Sequence, residues 1–149
     1  MTQLAIRPMA LGEDAQVISL WQRCGLTRPW NDPLRDLNFA HGKQNADILV
    51  ALDTADGGRI IASCMVGHDG HRGTLYYVAV DPEMQGQGYG RAMMRAGEGW
   101  LLGQGIWKVN LMIRIGNEAA LQFYDRLGYQ PSATTVVEKW IDPKKRGDA

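Results

Sequence analysis

The chain has 149 residues, the usual size of a single domain and enough to bury a hydrophobic core. Lys plus Arg number 16 and Asp plus Glu also number 16, so the formal net charge is zero. A neutral chain gives nucleic acid or an anionic membrane no electrostatic attraction, and we expect neither as a partner. Because no apolar run approaches the ~20 residues of a membrane span, and no signal peptide is evident, we expect a cytoplasmic protein.

The cysteines and histidines indicate neither a disulfide framework nor a metal centre. Cys24 and Cys64 both lie among apolar residues, as reduced packing cysteines do. The three histidines, His41, His68 and His71, do not form a metal-type cluster with them. We therefore expect no metal and no covalent cysteine intermediate.

The first third of the chain predicts one strand and two helices. Residues 4–6 form a short apolar strand. Val17, Leu20, Trp21 and Cys24 then recur at the spacing of one helix face. A turn-rich loop at residues 27–33 follows, and a second short helix runs from the proline that ends this loop to about residue 41.

Three strands come next, at residues 48–52, 59–67 and 74–80. The third of these ends at Asp81-Pro82, and three glycines then alternate along the chain: Gly86, Gly88 and Gly90. Apolar residues at helical spacing predict a helix over residues 89–103. The sequence therefore indicates a strand, a glycine loop and a helix in succession.

The last third predicts a further strand at 108–113, a helix that Asn117 caps and Gly128 ends, a short strand at Tyr129 and a final strand at 134–141. Together these elements give a single domain over residues 1–141, followed by a polar tail at 142–149. No internal repeat or linker interrupts this order.

The glycine loop is a candidate anion site. The first N–H groups of a helix have no partner inside the helix, and the helix dipole adds positive potential there. Glycines expose those N–H groups to a ligand, and a pyrophosphate suits them best. A Walker loop needs Lys-Ser or Lys-Thr after its last glycine, whereas Arg91-Ala92 stands here. The dinucleotide fingerprint fails as well, because Arg91 occupies the place of its third glycine.

The pattern that fits is Gln/Arg-x-x-Gly-x-Gly/Ala after a strand that ends in Val-x-Pro. Gln85, Gly88 and Gly90 fill its defined positions, and Val80-Asp81-Pro82 precedes them. This resembles the coenzyme A loop of the GNAT superfamily of N-acetyltransferases, over nearly the whole chain. Residues 28–33 and 69–73, together with Tyr76-Tyr77, are similar to those of its small bacterial YpeA-like branch.

The resemblance implies an α/β fold with a mixed sheet and helices on both faces, in the order β-α-α-β-β-β-α-β-α-β-β. It implies acetyl-CoA as the co-substrate and a primary amine, of a small metabolite or a protein, as the acceptor. A homodimer is common among members of the superfamily.

The resemblance also implies the site residues. The cofactor would be held by Val78, Ala79, Val80, Gln85, Gly86, Gln87, Gly88, Tyr89, Gly90, Arg91 and Asn117. Tyr124 would face the sulfur of the cofactor as general acid, since it follows Asn117 by seven residues and precedes Gly128 by four. A free thiol has a pKa near ~8.5 and a tyrosine near ~10, so full proton transfer is uphill by roughly 2 kcal/mol. A strong hydrogen bond with late proton transfer is therefore sufficient.

The acceptor side is less defined by the sequence. Candidates for contacts with the acceptor are Arg28, Trp30, Asp69, His71 and Arg72. Many relatives carry a glutamate on the strand before the glycine loop, whereas strand 74–80 here has no carboxylate. The general base is then Asp69, His71, Glu118 or a water chain.

Two alternatives to an enzyme remain at this point. A GNAT-like domain could bind an acyl-CoA and sense it without turnover, which the missing strand carboxylate favours and Tyr124 opposes. A nucleotide-binding protein could use the same glycine loop, and it would bind ATP or NAD.

Overall fold

The computed structural model describes residues 4–146 and divides the chain into two compact units, residues 4–110 and 111–146. The first unit contains a four-stranded antiparallel sheet in the order β1-β2-β3-β4. Its strands are β1 (Leu4–Pro8), β2 (Ala46–Asp53), β3 (Arg59–His68) and β4 (Gly73–Val80). Its helices are α1 (Asp14–Arg23), α2 (Pro33–Ala40) and α3 (Tyr89–Gly103). The α/β class predicted from the sequence is confirmed.

Helices cover both faces of this sheet, as two consecutive residues of β3 show. The hydroxyl of Ser63 accepts a hydrogen bond of 2.9 Å from the indole Nε1 of Trp21 on α1. The next residue, Cys64, points to the opposite face, where its Sγ lies 3.8 Å from the carbonyl oxygen of Met93 on α3. Side chains alternate along a strand, so the same strand packs against α1 on one side and α3 on the other.

Local signals in the sequence set the start of α2. The carboxylate of Asp32 accepts a hydrogen bond of 3.0 Å from the N–H of Leu34, and Pro33 occupies the first helical position. Both features are typical of helix starts. The predicted start of this helix is confirmed.

A close approach between α3 and β4 explains the glycine at position 97 of α3. A Cβ on Gly97 would overlap Cδ2 of Leu75, so the helix reaches the sheet only because this side chain is absent. The sequence predicts such a close approach to the sheet at both Gly97 and Gly99, since each costs the helix about 1 kcal/mol relative to alanine. For Gly99 this prediction is wrong, because a Cβ there would meet nothing within 4 Å.

Our prediction of further strands after α3 is wrong. Within residues 4–146, the structure has no strand after β4. Instead of a strand at 108–113, a single parallel bridge joins Gly73 to Val109, with Gly73 N–H donating to Lys108 and Asn110 N–H donating to Gly73, both at 2.9 Å. Tyr129 and residues 134–141 are not in strands either. Alternating apolar residues indicate a half-buried surface, but a strand also needs a neighbouring strand to pair with.

The second unit contains α4 (Glu118–Arg126) and a short 3-10 turn at Pro143–Lys145. The predicted helix cap is confirmed, since Oδ1 of Asn117 accepts a hydrogen bond of 3.2 Å from the N–H of Ala120. Gly128 follows the helix at φ 94°, a conformation that glycine adopts without strain. Within residues 4–146, no helix combines the length and apolar character that crossing a bilayer requires.

Candidate functional site

The glycine loop joins β4 to α3 through a short 3-10 turn at Pro82–Met84. Gly86 has a φ of 79°, and Gly88, the N-cap of α3, has a φ of 85°. These are left-handed conformations, which cost a residue with a Cβ about 1 kcal/mol or more. Space is not the constraint, because a Cβ at either glycine would meet nothing within 4 Å. Glycine is needed here for the path of the backbone.

This path leaves a row of unpaired N–H groups. Among residues 4–146, no group accepts a hydrogen bond from the N–H of any residue between Gln85 and Arg91, and pairing resumes where Ala92 donates to Gly88 at 3.1 Å. The residues from Gln85 to Gly88 are exposed. Seven free donors at the positive end of a fifteen-residue helix form a surface that suits an anion. The sequence predicts an anion site at this loop, and that assignment stays a prediction.

The buried carboxylate of Asp81 holds the start of this loop. Its Oδ2 accepts hydrogen bonds from Arg23 of α1 at 2.8 Å and from Arg59 of β3 at 3.1 Å. Its Oδ1 accepts one of 3.0 Å from the N–H of Glu83. Burial raises the pKa of this carboxyl, but Arg23 and the Glu83 N–H outweigh burial, so the pKa lies below its usual value. Sequence reasoning took Asp81 only as the end of a strand and missed this role.

A bulge interrupts β4 at Tyr77 and Val78, just before Ala79 and Val80. Ser63 pairs with Ala79 and Met65 pairs with Tyr76, so β4 contains one more residue than β3 across this interval. Tyr77 within the bulge has a φ of 49°, which is uncommon for a residue other than glycine. The bulge interrupts the ladder beside the residues predicted to polarise the acetyl carbonyl.

The predicted acceptor residues Arg28 and Trp30 lie in the loop between α1 and α2. The guanidinium of Arg28 donates to the carbonyl oxygens of Gly25 at 2.8 Å and Thr27 at 2.9 Å, and so closes the end of α1. Trp30 is half-buried. The structure thus gives Arg28 a local role in the loop, which leaves fewer of its donors for an acceptor.

The other predicted acceptor residues lie in the turn between β3 and β4. The carboxylate of Asp69 accepts hydrogen bonds of 2.8 Å from the N–H groups of His71 and Arg72, which lower the pKa of Asp69. The guanidinium of Arg72 lies 4.8 Å above the ring of Trp107. His71 is exposed. A carboxylate that closes a turn and has a lowered pKa is a poor base, so Asp69 is a weak candidate for the general base.

In the second unit, Tyr124 belongs to an aromatic cluster on and after α4. Its ring centroid lies 5.0 Å from that of Phe123 and 5.8 Å from that of Tyr129, both in edge-on geometry. Such contacts fix the ring plane of a tyrosine. Asn117 and Glu118 stand at the exposed start of the same helix.

The two cysteines are poor nucleophiles. Burial raises the pKa of Cys64 to about 12 and also raises the pKa of Cys24. The thiolate is the reactive form, and neither thiol ionises readily near neutral pH. Among residues 4–146, no three His, Cys, Asp or Glu side chains are grouped so that they could hold a metal ion.

Comparison with known proteins places this geometry in a family. Residues 15–129 match the model of the Acetyltransferase (GNAT) family. An acetyltransferase of Yersinia enterocolitica is 37% identical over 136 residues, covering 91% of this chain and 94% of the relative. An acetyltransferase of Sodalis glossinidius is 39% identical over 134 residues, covering 90% and 92%.

Solved structures share the fold. AAC(6')-Iy, in complex with the bisubstrate analog CoA-S-monomethyl-acetylneamine, has a TM-score of 0.78 at 14% identity and covers 93% of this chain and 99% of its own. The ribosomal-protein-S18-alanine N-acetyltransferase of Escherichia coli has a TM-score of 0.73 at 23% identity, covering 87% and 79%. The exposed amides of the glycine loop, the family match and the relatives agree, and the chain belongs to the GNAT acetyltransferase family.

Proposed function

We propose that this protein transfers an acetyl group from acetyl-CoA directly to a primary amine. The observation that carries this proposal is the row of seven unpaired N–H groups from Gln85 to Arg91 at the start of α3. A pyrophosphate carries enough oxygen acceptors to satisfy several of them at once, and its negative charge favours the positive end of the helix.

Residues of β4 and of the start of α4 make the remaining proposed contacts with the cofactor. Backbone N–H groups of Val78, Ala79 and Val80, in and next to the bulge, polarise the acetyl carbonyl and stabilise the oxyanion that forms on attack. Asn117 hydrogen-bonds the cofactor through the side-chain atoms that remain after its Oδ1 caps α4. Loop residues Gln85, Gly86, Gln87, Gly88, Tyr89, Gly90 and Arg91 surround the pyrophosphate.

Tyr124 donates a hydrogen bond to the leaving sulfur as negative charge develops there. Its aromatic neighbours restrict the ring, so the hydroxyl keeps one direction without reorganisation during the reaction. We expect no covalent cysteine intermediate, because both thiols stay protonated near neutral pH and are poor nucleophiles. Acetyl-CoA and the amine must then be bound together in a ternary complex.

The acceptor is a small amine or a protein amine. Structural neighbours named for an S18 alanine, for aminoglycosides and for glucosamine-6-phosphate define a starting panel of free N-termini and amino sugars. Arg28, Trp30, His71 and Arg72 are the proposed contacts for the acceptor.

The experiment has two arms. Calorimetry compares acetyl-CoA with S-acetylpantetheine, which lacks the pyrophosphate; we expect acetyl-CoA to bind at least about tenfold more tightly because only it reaches the loop amides. A thiol-release assay with the amine panel then measures transfer. Equal affinity for the two thioesters would contradict the loop assignment, and tight binding without transfer to any amine would favour the sensing domain.

A further inference from the structure

A hydrogen bond joins α2 to the strand before the glycine loop. The hydroxyl of Tyr77 on β4 donates to Oδ2 of Asp36 on α2 at 2.7 Å. Both residues are half-buried, so the hydrogen bond is partly shielded from solvent but still lies near the surface. The two residues are 41 positions apart in the chain, and the folded sheet brings them together.

The bulge in β4 is what turns Tyr77 toward α2. In a regular strand, Leu75 and Tyr77 would face the same side, because side chains alternate with a period of two. Leu75 faces α3, where it packs against Gly97. Tyr77 faces the opposite side, where its ring stacks on Trp21 with centroids 4.0 Å apart and an angle of 14° between the planes.

This arrangement is rigid and strained. Trp21 is fully buried and tied by its Nε1 to Ser63, so it forms a fixed support for the Tyr77 ring. The positive φ of Tyr77 is a conformation that residues with a Cβ rarely adopt, and such backbone strain clusters at active sites. A tyrosine is therefore held in one orientation, on the strand that leads to the loop, by a tryptophan below it and a carboxylate at its hydroxyl.

We propose that Tyr77 and Asp36 together accept the proton of the acceptor amine. Asp36, on α2, then provides the carboxylate that β4 itself lacks. This inference rests on the proposed function. In this proposal Asp69 is not the general base, because its carboxylate is bound to N–H groups of the β3–β4 turn. Tyr77 is the group that contacts the amine. Asp36 acts through Tyr77 and is a positioning residue that also receives the proton.

The protons balance in the proposed step. The neutral amine attacks the acetyl carbon, and its nitrogen becomes acidic as the new N–C bond forms. A proton passes from that nitrogen to the Tyr77 oxygen while the Tyr77 proton passes to Oδ2 of Asp36. The C–S bond then breaks, and the sulfur takes a proton from Tyr124. Asp36 returns its proton to solvent and Tyr124 is reprotonated, so one proton leaves nitrogen and one reaches sulfur.

The electrostatics of the pair agree with this relay. Burial raises the pKa of Tyr77, and the hydrogen bond to Asp36 raises it further. The phenol is thus protonated at rest and donates to Asp36, which leaves an oxygen lone pair for the amine. The charged groups that bear on Tyr77 are Asp36 and Asp32, both of which oppose a tyrosinate.

The test uses the full chain with acetyl-CoA and the amine panel, and compares Asp36→Asn, Tyr77→Phe and Asp36→Glu with the wild type. Tyr76→Phe is the matched control, since Tyr76 is the neighbouring residue on β4 and is 42% exposed. Acetyl-CoA affinity and the melting temperature report whether each variant is folded.

We expect Asp36→Asn and Tyr77→Phe to lower kcat about 100-fold near neutral pH with the acetyl-CoA affinity within twofold, as loss of a general base does. The deficit should shrink as pH rises and solvent base takes over the proton. Asp36→Glu should restore part of kcat, and Tyr76→Phe should match the wild type.

Three results would overturn the inference. The first is wild-type kcat in both Asp36→Asn and Tyr77→Phe. The second is a loss that is the same at every pH and parallels a fall in melting temperature. The third is a wild-type protein that binds acetyl-CoA but acetylates no amine, which would overturn the proposed function as well; the first two would leave that function intact.

Discussion

The carboxylate of Asp81 and the guanidinium of Arg23 lie 2.8 Å apart and join the start of the glycine loop to α1. The Asp81 side chain is fully buried, whereas 46% of the Arg23 side chain is exposed. Arg59 is the second partner of the same oxygen. Asp81 therefore fixes where β4 ends and where the loop begins, through two cations from different elements.

Removing the charge of Asp81 should destabilise the fold. Asp81→Asn leaves two guanidinium groups facing a neutral amide, and we expect a loss of about 2–4 kcal/mol in the free energy of unfolding, as for a broken buried pair. Arg23→Gln should cost less, because Arg59 still pairs with the carboxylate. Urea unfolding at pH 7 measures both. Equal costs for the two variants would contradict the central place of Asp81.

The same carboxylate should make stability depend on acid. The folded-state pKa of Asp81 is lowered, so its contribution is fully present above the unfolded-state pKa of ~3.9 and is lost as pH falls through the folded-state pKa. Urea unfolding from pH 7 to pH 3 should show stability falling below about pH 4. The fall should be shallower in Asp81→Asn, and identical slopes for variant and wild type would argue against a shifted pKa at this site.

Two glycines of α3 should respond to alanine in opposite directions. Gly99→Ala meets no atom within 4 Å and should stabilise the protein by about 1 kcal/mol through helix propensity. Gly97→Ala places a methyl group on Leu75 and should destabilise it by about 1–3 kcal/mol through overpacking. Thermal melts of the two variants check this. If Gly97→Ala were stabilising, α3 and β4 could not be as close as the structure has them.

Tyr124→Phe should affect the chemical step and leave binding alone. The ring and its edge-on contacts remain, so the fold and the KM for acetyl-CoA should be nearly unchanged. We expect kcat to fall about 10- to 100-fold, because the leaving sulfur loses its proton donor. Tyr129→Phe, at the neighbouring ring, is the control. A kcat unaffected by Tyr124→Phe would remove this residue from the mechanism.

Local sequence signals predicted most of the first unit. Helical spacing of Val17, Leu20 and Trp21, the Asp32-Pro33 start of α2, and the glycines after β4 all act over a few residues. They specify elements whose hydrogen bonds are internal or close in sequence. The helix at Tyr89–Gly103 has the predicted bounds for this reason.

Contacts between distant residues were beyond sequence reasoning. The Asp81–Arg23 bond spans 58 positions and the Tyr77–Asp36 bond spans 41. The bulge that turns Tyr77 has no local signature, since the run from Leu75 to Val80 has the composition of a regular strand. The strands predicted at 108–113 and 134–141 failed for the related reason that alternation cannot reveal whether a partner strand is present.

The most direct test of the central claim is the affinity for acetyl-CoA of Gly88→Ala beside that of Gly105→Ala, measured by titration calorimetry. Both glycines have nearly the same left-handed φ, 85° and 84°, and both have free space around them, but only Gly88 lies in the loop. The two variants should lose similar stability. We predict that Gly88→Ala weakens acetyl-CoA binding at least about tenfold while Gly105→Ala stays within twofold of the wild type. Equal affinities in the two variants would contradict a cofactor held by the amides of this loop.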